Sequence, residues 1–363
     1  MTPEIEVIVP VHTPTRPIRR LAASVLQGSE CDVRLRVIAH NTDPAGIRAA
    51  LHEYANDPRV EVTAFDDGVH SPAGPLAFAL ADVSAPWFTK IDSDDHLARG
   101  ALDSWLATAH RHRADVVMPR MVQEPSGVDF PTPPRRMLRT ILEPAKDRLA
   151  YRTSTMGLLA RGLAPLAVPV AGLETGEDIA PSLRLWFESG RIAMADRGFP
   201  YIVGEGAGDR VTAAPRPMRA ELAFVGPLAL ESFWGRLSEA EKTSIVAKLI
   251  RVQLFGAAGR SGAPWTDEAV EAVREALPTL VRLAPHVPVV LSRVDSDLVG
   301  ELMSAAPERG VIDRLVAERR RYLGVRPLTT RPYRRTLARD APLRFLAASF
   351  AARHFQPGLP DRG

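Results

Sequence analysis

The chain has 363 residues, 45% hydrophobic and 25% charged, which is ordinary globular material with length for about two domains. A net charge of +3 is too small to point to nucleic acid, so no nucleic-acid partner is expected. The single cysteine, Cys31, excludes an internal disulfide and a cysteine-based zinc cluster.

The chain opens directly on a strand pattern, "EIEVIVPVH", with no basic-then-apolar leader ahead of it. No apolar run approaches the roughly 20 residues of a spanning helix. The best candidate, "MGLLARGLAPLAVPVAGL", is interrupted by Arg161, Pro165 and Pro169. A soluble or peripheral protein in a reducing, cytoplasmic setting is therefore expected.

"IEVIVPV" is a continuous β-branched run, as in a strand buried on both faces of a parallel sheet. "RPIRRLAASVLQG" follows with Ile18, Leu21, Val25 and Leu26 at helical spacing and Gly28 as its stop. "VRLRVIAHN" reads as a second strand. "DPAGIRAALHEYAND" reads as a helix with Asp43 at its N-cap and Pro44 at its first position. "RVEVTAFDD", "GPLAFALADVS", "PWFTKID", "LARGALDSWLATAHRHR" and "ADVVMPRMV" continue the alternation as strand, helix, strand, helix and strand. That order predicts βαβ units and a mostly parallel sheet.

Residues 123–150 lose periodicity and carry five prolines with Arg135, Arg136 and Arg139, which predicts a long surface excursion. "GEDIAPSLRLWFESG" starts another helix, and "RIAMADRGFPYIVG" reads as short extended segments. From about residue 218 the pattern is helical, with Thr266 and Asp297 as capping residues. The predicted organisation is an α/β catalytic domain over residues 1–217 and a mainly helical domain over residues 218–363.

Two clusters carry chemistry. Asp92, Asp94 and Asp95 end the "PWFTKID" strand, where ligands of an open parallel sheet bind. Crowded carboxylates need a positive partner, and Asp-Ser-Asp-Asp suits Mg²⁺ or Mn²⁺ bridging to a diphosphate. The plainer reading is that Asp94 and Asp95 cap a helix beginning near His96. Glu177 and Asp178 open the "GEDIAPSLRLW" helix. They suit either helix capping or a general base beside a cleft.

Together these motifs resemble the inverting family 2 glycosyltransferases of the GT-A fold. "VIVPVHTPTRPIRRLAASVLQ" resembles the family's opening strand, loop and helix. "WFTKIDSDDHL" resembles its DxD strand, "GEDIAPSLRLWFESG" its acceptor-side motif, and "ADRGFPYIVGEGAGDRVT" the close of its catalytic domain. The resemblance covers about residues 5–212. It implies a Rossmann-like, mostly parallel catalytic domain that takes a nucleotide-sugar donor and a glycan or lipid-linked acceptor, in cell-surface polysaccharide synthesis of bacterial type.

By position, the resemblance implies that Pro10, Val11 and His12 line the nucleotide pocket. Asp92, Ser93 and Asp94 would meet the diphosphate, with Asp94 and Asp92 holding Mn²⁺ or Mg²⁺. Asp178, with Glu177 beside it, would deprotonate the acceptor hydroxyl.

The chain departs from the family at two places. "IAHNTD" replaces the usual acidic turn after the second strand, so His40 or Asn41 would have to serve the base. "SPAGPLAFAL" replaces an Ala-Arg-Asn helix, and Lys90, two residues before Asp92 on one strand face, is the candidate substitute. The plainer reading of Lys90 is a salt bridge at a strand end.

Arg210, with Asp209, could close over donor phosphate or form a surface ion pair. His70 and Ser71 are weaker candidates for the same cleft. The C-terminal stretch is rich in arginine, and Arg344, Phe345, Leu346, Phe350 and Phe355 predict an amphipathic basic helix. Such a helix suits the inner face of the plasma membrane, a solvated surface or an oligomer contact. Two alternatives stand beside the enzyme reading: a sugar nucleotidyltransferase, and a non-catalytic nucleotide or carbohydrate binder.

Overall fold

The structure is a computed structural model, described over residues 2–124, 126–129, 140–196, 198–204, 216–260 and 264–354. Strand β1 (Ile5–Val11) leads to α1 (Ile18–Leu26), β2 (Val33–His40), α2 (Pro44–Leu51), β3 (Val60–Phe65), α3 (Ala73–Leu80) and β4 (Trp87–Lys90). The expected start of α2 holds: Asp43 accepts from the Ala45 N–H at 2.9 Å, with Pro44 first in the helix.

The chain continues through β5 (His96–Leu97), α4 (Ala101–His112), β6 (Val116–Met118), β7 (Met121–Gln123), β8 (Val128–Asp129), β9 (Ile141–Leu142), β10 (Leu158–Ala160), α5 (Ala164–Ala167), α6 (Ile179–Glu188), β11 (Ile192–Met194) and β12 (Tyr201–Val203).

The main sheet has eight strands in the order β3-β2-β1-β4-β10-β6-β11-β9. Its pairs β1–β2, β2–β3, β1–β4 and β6–β11 are parallel. The sequence of β1 shows why it is central: Ile5, Val7, Ile8, Val9 and Val11 are all fully buried, as a strand covered on both faces requires. Glu6 and Arg36 are also buried and pair at 2.6 Å, which ties β1 to β2. The strand order turns back at β1, with β2 on one side and β4 on the other. The crevice at their carboxyl ends is where such a sheet takes its ligand.

Three features differ from the sequence-based expectation. "ADVVMPRMV" is not one strand. It breaks around Pro119, which has no N–H to donate, and β6 and β7 belong to different sheets. β10, within the apolar "MGLLARGL", enters the main sheet antiparallel between β4 and β6. No helix begins near His96: β5 intervenes, and α4 starts after Gly100, whose φ of 76° suits glycine. Of the excursion over 123–150, Arg135, Arg136 and Arg139 lie outside the described residues. β5 pairs with β12 in a second, four-stranded sheet, β5-β12-β7-β8.

Beyond residue 216 the described chain is helical: α7 (Met218–Leu222), α8 (Val225–Ala229), α9 (Glu239–Lys248), α10 (Phe255–Ala258), α11 (Asp267–Leu283), α12 (Arg293–Leu302), α13 (Arg309–Arg319), α14 (Val325–Leu328) and α15 (Pro342–His354). Ser238 and Glu241 form a capping box on α9. Thr266 caps α11 as expected. Asp297 does not cap: Ser292 accepts from the Asp295 N–H at 2.8 Å, and Asp297 lies within α12, paired with Arg326 and Arg331. The helices share one apolar core with Ile179, Ala180 and Leu183 of α6.

α15 carries its apolar residues around the helix rather than along one stripe. Phe345 packs on Tyr151 at 4.7 Å between ring centroids and lies under the Arg148 guanidinium. Part of the expected membrane face is thus used inside the fold. Phe355 lies outside the described residues. Among the described residues, no helix is long and apolar enough to cross a membrane.

Candidate active site

The end of β4 enters the crevice as Lys90, Ile91, Asp92. Ile91 is buried and its N–H donates to Ile8 O at 3.0 Å, so the turn stays registered on β1. Lys90 and Asp92 emerge on one side, with Nζ and Oδ1 3.0 Å apart. Lys90 is nearly covered. Burial pulls its ammonium down, but Asp92, Asp178 and Glu177 together outweigh that and raise it. Lys90 therefore stays charged and faces both acidic clusters, which a strand-end salt bridge alone would not do.

Asp94 is met by a residue that the sequence reading did not single out. Arg16, in the β1–α1 loop, is buried and reaches Asp94 Oδ2 through Nη1 at 3.1 Å. Arg20, on α1, bonds Glu124 at 2.8 Å and the Asp94 carbonyl at 3.4 Å. Both arginines stand in "TPTRPIRR", and nothing in their local spacing marks them as partners of a residue some 75 positions on.

Asp95 has a different task from the expected helix cap. Its carboxylate accepts from the Tyr201 hydroxyl at 2.6 Å and from the Gly204 N–H at 2.9 Å. Tyr201 Oη in turn accepts from the Asp92 N–H at 3.1 Å. Burial and the neighbouring Asp92 push Asp95 up to about 7, against the pull of the Tyr201 and Gly204 donors. Gly204 is required here: a Cβ would collide with the Asp94 carbonyl oxygen and with Arg20. Asp95 thus staples the DxD turn to the end of β12. Ser93 is buried within this turn.

Glu177 and Asp178 approach the same place from α6. Gly176, at φ 76°, turns the chain, and a Cβ there would press on Ile179 and Phe224. Asp178 occupies the N-cap position of α6, yet its side chain makes no capping hydrogen bond. The capping reading of this motif fails for that reason. Burial and Glu177 push Asp178 up to about 7, with Lys90 and Lys248 pulling it down. Burial raises Glu177 too. Asp178, Glu177, Lys90 and Asp92 all act on one another, so the structure brings together the two motifs that the sequence keeps 82 or more residues apart.

At the end of β1, Pro10 is partly covered, Val11 is buried and His12 is exposed. His40 and Asn41 are both engaged with Asp67, a residue that the sequence reading passed over. His40 Nε2 and Asp67 Oδ1 lie 2.8 Å apart. Asn41, at φ 51°, accepts from the Asp67 and Gly68 N–H groups and donates to Val69 O. The hydrogen bond with His40 is the main reason that Asp67 lies below the usual carboxylate range. His70 is exposed, while Ser71 is buried and accepts from Ala73 N, at the start of α3. Asp209 and Arg210 lie outside the described residues.

Could these residues hold a divalent cation? Among the described residues no group of three or more His, Cys, Asp or Glu side chains forms a cage. Asp92 and Asp94 supply two carboxylates at one strand end. That donor set fits Mg²⁺ or Mn²⁺ whose remaining oxygens come from a diphosphate and water.

The Tyr201 bridge yields a measurable expectation. Tyr201→Phe removes one of the two donors to the Asp95 carboxylate and the acceptor of the Asp92 N–H, at a cost of about 1–3 kcal/mol. A thermal melt of the full chain should fall accordingly, and an unchanged melting temperature would show the bridge to be idle.

Comparison with known proteins adds a family match over part of the chain. Residues 6–164 match the sequence family "Glycosyl transferase family 2". A search of curated proteins returned no match. Among solved structures, S. aureus TarS 1–349 in complex with UDP-GlcNAc superposes with a TM-score of 0.74 at 19% identity, covering 90% of this chain and 93% of that one. TarS 1–349 in complex with UDP gives 0.71 at 18% identity, with the same coverage. A longer S. aureus TarS chain gives 0.71 at 17% identity, covering 88% of this chain and 55% of that one. At these identities the likeness shows the fold. The matched segment contains β1, β2, β4 and the Asp92–Asp94 turn, while Glu177 and Asp178 lie beyond it. Residues 6–164 carry a glycosyl transferase family 2 domain, which has the GT-A fold and lines the crevice at the ends of β1, β2 and β4.

Proposed function

We propose that the protein is an inverting, metal-assisted glycosyltransferase. It moves a sugar from a nucleotide-sugar donor to a hydroxyl of a glycan or lipid-linked acceptor, in cell-surface polysaccharide synthesis. The observation that carries the reading is Asp178. It is a carboxylate at a helix start, free of capping duty, close in charge to Lys90 and Asp92, and held near neutrality by burial. The TarS complexes with UDP-GlcNAc and UDP support a uridine diphosphate sugar as the donor class to try first.

In this reading Asp178 takes the proton of the acceptor hydroxyl, and Glu177 keeps its affinity for that proton high. The acceptor oxygen forms a bond to the anomeric carbon as the bond to the donor diphosphate breaks on the opposite face. Asp92 and Asp94 would hold Mn²⁺ or Mg²⁺, which when bound offsets charge on the departing diphosphate. Lys90 adds a fixed positive charge at the same end of the crevice. Asp67, braced by His40 and Asn41, presents the acid near the nucleobase that the family places one strand earlier. The α/β domain within residues 1–217 would handle the donor, and the helices described from Met218 to His354 would close the acceptor side.

The family match favours sugar transfer over nucleotidyl transfer. A non-catalytic binder would have no use for a carboxylate poised as Asp178 is.

The general-base role fixes the pH dependence. Asp178 must be ionised to accept a proton, and it sits at about 7. Turnover per donor bound should therefore drop about tenfold per pH unit below neutrality and level off above it. Asp178→Asn should lower turnover of a UDP-sugar by about a hundred- to ten-thousandfold while donor binding persists. A variant that retains wild-type turnover removes the base assignment.

Metal use is tested by calorimetry with UDP. Chelation should weaken binding by at least about tenfold, and Asp94→Asn should do so with Mn²⁺ present. Equal affinity with and without chelator counts against the metal reading.

We also place the protein in the cytoplasm, peripheral to the inner face of the plasma membrane. Tyr322, Leu323, Val325, Tyr333 and Leu337 are exposed and interleaved with Arg321, Arg334 and Arg335. Apolar and cationic side chains in one segment suit anionic lipid. Vesicles containing phosphatidylserine should bind the full chain in a flotation assay, and Arg321, Arg334 and Arg335 changed together to Ser should abolish binding. Equal flotation of both proteins would refute the contact.

A further inference from the structure

Lys248 is the last residue of α9, at 1% exposure, and its Nζ makes no hydrogen bond. An unpaired ammonium in an apolar core is costly, and a leucine would fill the space without that cost. The backbone changes register directly after it: Leu249–Leu254 is a π-helical stretch before α10. Such stretches are rare and re-aim the side chains around them.

The surroundings give the direction. Ala247 and Leu249, which flank the lysine, belong to the same apolar core as Ile179 and Ala180. Those two residues directly follow Asp178. Lys248 and Asp178 thus each adjoin residues of one apolar core, a seam to which both units contribute. Burial lowers Lys248 to about 7, and Asp178 is the charge that pulls it back up. Asp178 also faces Glu177 and Asp92, which raise it, and Lys90, which lowers it alongside Lys248. Arg216 acts on Glu177 beside it. Of the two cations, Lys90 is already committed to Asp92 at 3.0 Å.

We infer that Lys248 is a positioning residue for the base: the helical unit delivers its ammonium to the seam, where it keeps the Asp178 carboxylate ionised and oriented. This rests on the reading of Asp178 as the base. It makes the helical unit part of the active site, because one of the two charges that oppose the crowding of Asp178 by Glu177 and Asp92 comes from α9.

Hydrolysis of UDP-N-acetylglucosamine by the full chain with Mn²⁺, followed from pH 5.5 to 9, tests it. Lys248→Met should move the acid limb of kcat upward by about one pH unit, so that the rate at pH 6.5 falls about tenfold and the loss shrinks toward pH 9. Donor KM should stay where the wild type has it, and Lys248→Arg should move the limb back. A fall of equal size at every pH, with the limb unmoved, would overturn the inference. A thermal-melting cycle of Lys248→Met with Asp178→Asn decides the matter even where hydrolysis is too slow to profile. The shifts should be non-additive, because removing Asp178 strips Lys248 of the charge it faces, and additive shifts would overturn the proposal. Failure of the wild type to bind or turn over any nucleotide sugar would instead count against the transferase reading, and the melting cycle is independent of it.

Discussion

Five carboxylates converge where β4 meets the start of α6, and their mutual repulsion is the constraint around which the site is built. Asp92, Asp94, Asp95, Glu177 and Asp178 cannot all be ionised in a shared, largely covered crevice without compensation. Each is answered differently. Lys90 pairs with Asp92, Arg16 with Asp94, and the Tyr201 hydroxyl with Asp95. Among the described residues Glu177 and Asp178 have no close ion-pair partner of that kind, and both are left at raised proton affinity. The distribution is uneven in a useful way. The carboxylates that would meet a cation or a phosphate each have a cation at close range, and Asp178, which would take a proton, is left with raised proton affinity.

That arrangement depends on the two units sharing a core. Asp178 is placed by Gly176, whose missing Cβ leaves room for Phe224, a residue of the helical region. Ile179, Ala180 and Leu183 of α6 belong to the same apolar core as α9 and the π-helical stretch that follows it. A helical unit joined only by a flexible linker could not set the electrostatics of a residue on α6. Here the same apolar contacts that bury α6 also fix the charge environment of its N-terminal carboxylates. Stability and chemistry are therefore coupled at this seam.

Much of this was legible in the sequence where the physics is local. The β-branched run of β1, the Asp43–Pro44 start of α2 and the Thr266 cap of α11 follow from strand burial and capping preferences within a few residues. The acidic motifs were legible because carboxylates crowded at a strand end or a helix start have few plain explanations. What was not legible is what depends on distant partners. Asp95 reads as a helix cap until Tyr201 and Gly204, more than a hundred residues on, are folded against it. Arg16 looks like one arginine of a basic helix start. Lys248 looks like the polar end of an amphipathic helix, and only the apolar core that α9 shares with α6 shows it to be buried. β10 was missed because Arg161 and the prolines after it interrupt an apolar run too short to declare its type.

The turn after β2 shows how an acid absent from one strand end can stand at the end of the next. The expected acid is absent from "IAHNTD", and reading only that turn leaves His40 or Asn41 to replace it. The fold offers another solution. Asn41 adopts a left-handed conformation that asparagine tolerates better than most residues, and its side chain gathers the backbone of the next loop. His40 then meets Asp67 from below, so that the carboxylate is fixed and kept ionised at the rim of the crevice. An acid moved from the end of β2 to the end of β3 remains on the same edge of the sheet, because the two strands are parallel neighbours whose register pairs His40 with Phe65. The function of such a turn lies in where the charge ends up, and adjacent parallel strands give two positions from which to supply it.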